Sequence, residues 1–307
     1  MKNNNYRYVV ISPVRDEAEF LPRVIRSMEA QTIRPVEWLV VDDGSTDGTT
    51  EILLEAASRN AWMNVVIKPD RGERSVGPGV VEAFYYGYER MRTSDYDFIA
   101  KMDGDIEFKP NYVETLLTYF DRDKWLGSAS GKIFLPQGDK LVEERTHDEM
   151  TVGAFNFYRR ETFEEIGGFV REVMWDGIAY HRARMARWRT RSISNPTLNI
   201  IHKRLMGSSH KGILHGRLRW GRGQYFMGTH PIYIVVVALY RMFERPFGLG
   251  GLSILTGYIR AAMKGMKRYD HPGFRQSLHA WQMERLKLDR RIEQLPEPEH
   301  NLYSSAA

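Results

Sequence analysis

Cysteine is absent from this chain of 307 residues, and that absence removes several chemistries together. Disulfides, thiolate nucleophiles and cysteine-ligated zinc are excluded, and the composition fits a reducing compartment. No apolar run reaches the roughly 18 residues of a spanning helix, so no transmembrane segment is expected. The polar start, Met-Lys-Asn-Asn-Asn-Tyr-Arg-Tyr, lacks the apolar stretch of a secretory signal, which points to the cytoplasm. Acidic residues are nearly missing from one long block. Residues 182–268 carry 17 Lys and Arg against a single acid, Glu244, whereas residues 1–181 carry 22 against 32. A basic block of that purity implies a polyanionic partner: phosphates, an anionic membrane face or nucleic acid.

The first half alternates strand-like and helix-like segments. Tyr8–Ser12, Glu37–Val41, Met63–Ile67 and Phe98–Met102 read as short strands, and Glu37–Val41 is continuous and apolar, as expected of a strand covered on both faces. Between them, Glu17–Ala30 and Gly79–Met91 have helical spacing, and Thr46 or Asp47 is placed to cap a helix through Ile52, Leu53 and Ala56. This rhythm predicts a mostly parallel sheet with right-handed crossovers. Further on, Ser128–Phe134, Ala154–Tyr158 and Leu198–Ile201 read as strands, Asp176–Arg189 and Phe274–Ile292 as helices, and 296–307 as a disordered tail.

Ligands of such sheets sit at the carboxyl ends of the strands, and carboxylates collect there. Phe98–Met102 runs straight into Asp103-Gly104-Asp105. Mg²⁺ and Mn²⁺ take oxygen ligands, and in extended chain alternate residues point to one side, so Asp103 and Asp105 can share an ion. Gly104 removes a side chain where a ligand would approach. Asp42-Asp43-Gly-Ser-Thr-Asp-Gly-Thr likewise follows a buried strand and opens a helix, offering a carboxylate to a base N–H or a ribose hydroxyl beside a helix N-terminus. Each motif alone is also compatible with a solvated or capped turn.

In order along the chain, Ser12-Pro13-Val14-Arg15-Asp16-Glu17, Gln31-Thr32, the Asp42-Asp43 run and Asp103-Gly104-Asp105 together resemble the family 2 glycosyltransferases, inverting enzymes of the GT-A fold. The resemblance covers roughly residues 6–202. It implies an α/β, Rossmann-like, mostly parallel sheet flanked by helices, with Mn²⁺ or Mg²⁺ as cofactor. It places the nucleotide-sugar donor at Pro13, Val14, Arg15, Glu17, Asp43, Asp103 and Gly104, with Asp43 facing the base and Asp105 holding the metal. The segment Arg71–Gly79 stands where the family has a glycine-containing loop before a helix, which adds Arg74 and Gly77 to the donor side, in reach of the diphosphate. After Gly167-Gly168-Phe169, where the family has a Glu-Asp pair, this chain has Trp175-Asp176. Asp176 is therefore the candidate base, taking the proton of the acceptor hydroxyl; capping the helix is the alternative. His202 is a candidate metal or diphosphate ligand, or a structural histidine. Arg219-Trp220 resembles part of the Gln-X-X-Arg-Trp motif of processive synthases, but Gly216 stands at the glutamine, so processivity is not inferred.

The division expected is a catalytic GT-A domain at 1–205, a helical, basic and apolar extension at 206–295, and the tail. In the extension, Pro231–Leu239 and Pro246–Ile259 are two short apolar runs with Arg260, Lys264, Lys267 and Arg268 beyond. They suit a helix pair lying in the headgroup region of an anionic membrane, or a buried hairpin completing the core. The family resemblance favours the first, because many members glycosylate a polyprenyl-diphosphate-linked acceptor at the cytoplasmic face. The expectation is a metal-dependent transferase with UDP favoured, moving a sugar to a lipid-linked glycan in bacterial polysaccharide synthesis at the inner face of the plasma membrane. The alternatives are a non-catalytic membrane-surface scaffold of the same fold and a sugar-phosphate nucleotidyltransferase. The latter requires a glycine-rich loop after the first strand, which Ser12–Glu17 lacks. Nucleic acid is not expected as a partner, since it leaves the acidic first half unexplained.

Overall fold

A computed structural model describes residues 6–70, 72, 77–144, 146–202, 212–244 and 246–287. Strands β1 (Tyr8–Val14), β2 (Glu37–Asp42), β3 (Met63–Ile67) and β4 (Phe98–Met102) pair in parallel as β4-β1-β2-β3. Helices α1 (Leu21–Glu29), α2 (Thr49–Arg59) and α3 (Pro78–Tyr88) make the crossovers. Successive strand residues serve opposite faces of the sheet. Tyr8, Val10, Trp38, Val40, Phe98 and Ala100 pack with α1, α2 and α4 (Tyr112–Arg122), while Val9, Ile11, Val41 and Ile99 pack with α3 on the other side. This two-sided burial is why these strands read as continuous apolar runs. The α3 helix lies so close that a Cβ on Gly87 would fall 2.6 Å from Val41 Cγ2.

The sheet continues through β9 (Phe155–Arg159), antiparallel to both β4 and β6 (Leu126–Gly131), and ends at β10 (Arg189–Ile193). A second, smaller sheet has the order β5-β11-β7-β8, from Ile106–Glu107, Ile200–His202, Ile133–Gln137 and Lys140–Glu143. The stretch expected as one strand at Ser128–Phe134 is therefore two. The chain leaves the large sheet at Gly131, where a Cβ would lie 1.5 Å from Leu198 O, and joins the small one at Ile133.

Other boundaries move for identifiable reasons. The first helix begins at Leu21 rather than Glu17, because Asp16 has φ +52° and the Glu17 N–H donates to Thr49 Oγ1 at 2.8 Å. The α2 helix is preceded by Gly48 at φ +90°, not capped by Thr46 or Asp47; the Asp47 carboxylate accepts from the N–H groups of Ala18 and Thr49, tying the two loops together. Helix α6 (Trp175–Met185) follows the short α5 (Arg160–Glu165) and stops before Arg187, which has φ +66°. Leu198 closes a short 3₁₀ turn, and the strand there starts at Ile200.

The C-terminal region is helical: α7 (Gly212–Met227), α8 (Pro231–Met242), α9 (Leu249–Met263) and α10 (Phe274–Arg285). A Cβ on Gly221 would fall 2.0 Å from Ile254 O and one on Gly257 2.1 Å from Leu218 O, so α7 and α9 cross with their backbones nearly touching. Helix α10 packs Phe274 and Leu278 on Ile178 of α6, and Arg184 donates to Ser277 O at 2.8 Å. Among the described residues, no helix is long and apolar enough to cross a membrane. The expected tail at 296–307 and the end of the Phe274–Ile292 helix lie outside the described residues.

Candidate active site

The carboxyl ends of β1, β2 and β4 converge on one edge of the large sheet, and the polar residues singled out in the sequence collect there. After β2, two adjacent aspartates divide their tasks. Asp42 is fully buried and holds the turn, its Oδ1 accepting from the Ser45 N–H at 2.9 Å and the Ser45 hydroxyl at 2.6 Å, its Oδ2 from Thr50. Asp43 receives Lys68 Nζ at 3.2 Å. Beside it, the Arg15 guanidinium spans the gap between two loops, donating to Asp43 O at 2.6 Å and pairing with Asp70 at 2.8 Å. Pro13 and Val14 lie on β1 in register with Val41 and Asp42.

Val14 and Glu17 also explain the glycine between the two later aspartates. A Cβ on Gly104 would fall 2.8 Å from Val14 Cγ1 and 3.3 Å from Glu17 Cγ. The close approach there comes from the β1 end of the protein itself, not only from a ligand. Gly77, at φ +91°, precedes α3, and Pro78 opens the helix; a Cβ on Gly77 would meet Val173 Cγ2 at 3.0 Å. Arg74 lies outside the described residues.

Asp103, Asp105 and His202 form one cluster, each offering a ligand atom within 4.8 Å of the others. Strand pairing builds it: β5 follows Asp105 directly, runs antiparallel to β11 with Ile106 opposite His202, and so sets the imidazole Nε2 3.2 Å from Asp105 Oδ1. Burial opposes the imidazolium, but the Asp105 hydrogen bond and the charges of Asp105, Asp103 and Glu144 outweigh it and raise the pKa of His202. His202 Nδ1 is buried without a hydrogen-bond partner. Two carboxylates and an imidazole fit a divalent cation.

Lys101, to which the sequence reading assigned no part, sits beneath this cluster. It is 4% exposed, pairs with Asp103, donates to Gly153 O at 2.9 Å and lies 5.3 Å from the centre of the Trp175 ring. Its one signal in the sequence was a lysine inside the apolar run Phe98–Met102. Trp175 is buried and packs edge-on against Phe169 with ring centres 4.7 Å apart. That anchor turns the next residue, Asp176, toward Gly153, where a Cβ would lie 3.3 Å from Asp176 Oδ2. The Asp176 carboxyl is desolvated, which raises its pKa; the Gly177 N–H at 2.8 Å and the charge of Lys101 act in the opposite direction, and the Asp103 charge adds to the rise. Met174, which precedes α6 with φ +70°, is a non-glycine residue in the left-handed region at a candidate site. Trp220 of the broken synthase-like motif instead packs against the apolar cluster that α7, α8 and α9 share.

The fold and this edge define a GT-A glycosyltransferase. The family model described as Glycosyl transferase family 2 matches residues 9–193, and the chain belongs to that family. Among curated relatives, a chondroitin synthase of Pasteurella multocida is 30% identical over 37% of this chain and 11% of its own length. A polyprenol monophosphomannose synthase of Mycolicibacterium smegmatis is 30% identical over 52% of this chain and 64% of its own. The chain thus spans less than two thirds of either relative. The crystal structure of GalNAc-T7 with UDP, GalNAc and Mn²⁺ superposes with a TM-score of 0.58 at 15% identity, covering 93% of this chain and 57% of that one.

Proposed function

We propose that this glycosyltransferase is a metal-dependent, inverting enzyme that moves a sugar from a nucleotide-diphosphate donor, UDP favoured, to a hydroxyl of a lipid-linked glycan. The observation that carries the reading is the meeting of Asp103, Asp105 and His202 at the end of β4, separated from Asp43 at the end of β2 only by β1, with the Asp176 carboxyl within electrostatic reach of Asp103. Asp43 and Arg15 would receive the nucleoside, with Pro13, Val14 and Glu17 forming that wall. Gly77 and the loop holding Arg74 would approach the diphosphate. Asp103, Asp105 and His202 would hold Mn²⁺ or Mg²⁺, which when bound supplies positive charge to the diphosphate.

In the transfer, the Asp176 carboxylate accepts the proton of the acceptor hydroxyl. That oxygen bonds to the anomeric carbon as the bond from this carbon to the diphosphate oxygen breaks on the opposite face. The electron pair leaves with the nucleoside diphosphate, and the configuration inverts. Trp175 fixes the direction of Asp176, and Lys101 places a cation between the acceptor-side and donor-side aspartates.

For the acceptor, support comes from the basic C-terminal third and from a relative whose name specifies a polyprenol product. On this reading 1–205 is the catalytic domain and 206–295 the acceptor-side region, working at the inner face of the plasma membrane. Titrating UDP, GDP and dTDP calorimetrically, each with Mn²⁺ and then with EDTA, tests the donor half. Binding of one nucleotide that disappears with EDTA is the expected result; no binding by folded protein would leave a scaffold of the same fold as the better reading.

A further inference from the structure

Helices α8 and α9 turn apolar faces outward. On α8, Ile232, Val235 and Leu239, with Phe243 just past its end, are exposed at the three-and-four spacing of a single helix face. On α9, Leu252, Ile259 and Met263 do the same, and Phe247 in the intervening turn joins them. Phe243 and Met263 are each 82% exposed. Packing within the pair does not account for these side chains. It is met by the inner faces, where Ile234 and Ala238 join Ile254 and a Cβ on Gly251 would fall 2.2 Å from Ala238 O. Contiguous exposed apolar surface of this kind marks an interaction site.

Charge selects the occupant. Residues 212–268 contain nine Lys and Arg and one acid, Glu244, which is taken up by Arg241 and Arg217. Arg260 near the end of α9 and Lys264 and Lys267 just beyond it are exposed, and Arg260 and Lys264 directly follow the exposed Ile259 and Met263 in the chain. Apolar side chains bordered by cations match an anionic lipid surface. A second copy of the chain on the same face would bring these like charges together. At 12 and 15 residues, α8 and α9 are too short to span roughly 30 Å of hydrocarbon, so the fitting geometry is in the plane of the headgroups.

We infer that the outer face of α8 and α9 docks flat on an anionic bilayer and holds the Asp176 side of the site at a fixed height above it. The second clause rests on the transferase reading; the first does not. The connection is contiguous: α9 presses on α7 at Gly221 and Gly257, and a Cβ on Gly223 of α7 would fall 2.7 Å from Val173 Cγ1 and 2.7 Å from Met174 Cγ, just ahead of Asp176.

Flotation of the full chain with vesicles of phosphatidylcholine, with and without phosphatidylglycerol, tests this. The expected result is co-flotation with the anionic vesicles, weakened by salt. The bound fraction should fall about tenfold or more in F243S/M263S and in R260E/K264E, but not in the control L54S, an exposed leucine on α2. Failure to float, or flotation unchanged in both double variants, overturns the inference. So does a dimer in sedimentation that F243S/M263S dissociates, since a second copy would then cover the face. Nucleotide titration of the same proteins separates the two readings. Vesicle binding lost with nucleotide binding intact in the variants supports docking; a wild type that binds nucleotide but no vesicle overturns docking alone. Vesicle binding without nucleotide binding overturns the transferase reading alone.

Discussion

His202 Nε2 stands 3.2 Å from Asp105 Oδ1, joining a residue of the last sheet strand to the end of the Asp-Gly-Asp turn. Both side chains are nearly buried, the residues being 6% and 7% exposed. An imidazole held this close to two carboxylates is poised either to be protonated or to share a cation with them.

Replacing Asp105 with Asn removes one charged ligand while keeping the shape. Nucleotide affinity in the presence of Mn²⁺ should fall about 100-fold or more, given that even outer-shell changes at metal sites reach that range. In EDTA, where neither protein should bind, the variant and wild type should not differ. A Mn²⁺-dependent titration indistinguishable from wild type would remove Asp105 from the metal site.

Asp176→Asn should lower turnover by about 10²–10⁴-fold, the usual worth of a positioned general base, and leave donor binding intact. Near-normal turnover would return Asp176 to a helix-capping role. In the unsubstituted enzyme the raised pKa of Asp176 predicts a turnover rate that falls on the acid side at a pH above the ordinary carboxyl value of 3.8.

Lys101→Met keeps the volume of the buried side chain and deletes its charge. Because Lys101 draws the Asp176 pKa down, its loss should move the acid limb of the pH–rate profile to higher pH. A purely structural lysine would lower activity equally at all pH values.

His181 is buried among Tyr180, Phe274 and Trp281, and burial, then the nearby Arg184 charge, hold its pKa well below 6.5. The folded protein therefore keeps it neutral while the unfolded chain takes up a proton. Stability from this site is complete above about pH 6.5 and declines as pH falls below it, by up to about 1.4 kcal/mol per pH unit. Thermal melts from pH 7.5 to 5.5 should show a decline that is reduced in His181→Phe. An identical slope in the variant would exclude the histidine as its source.

Strand identity was legible from short β-rich runs, buried or not. Phe98–Met102, buried throughout, and Met63–Ile67, at the sheet edge with Ile67 exposed, both have the expected bounds because such a run between polar turns admits few alternatives. Helix starts were less legible. The turn at 17–20 depends on Thr49, which lies far away in the chain, and Gly131 ends a strand because Leu198 crosses it.

The sequence by itself determined the α/β alternation, the carboxylates at the strand ends and the one-sided charge of the C-terminal third, because all three follow from local pattern and composition. Only the tertiary structure decided what meets. The β5–β11 pairing brought His202 to Asp105, and the packing of Trp175 on Phe169 set the direction of Asp176. Lys101 became the cation between them when β4 was buried. The short apolar runs of α8 and α9 left two readings open, a buried hairpin or a surface pair. The choice lay in which faces were used up by the glycine-lined contacts of α9, with α7 at Gly221 and Gly257 and with α8 at Gly251, and no local pattern specifies those contacts.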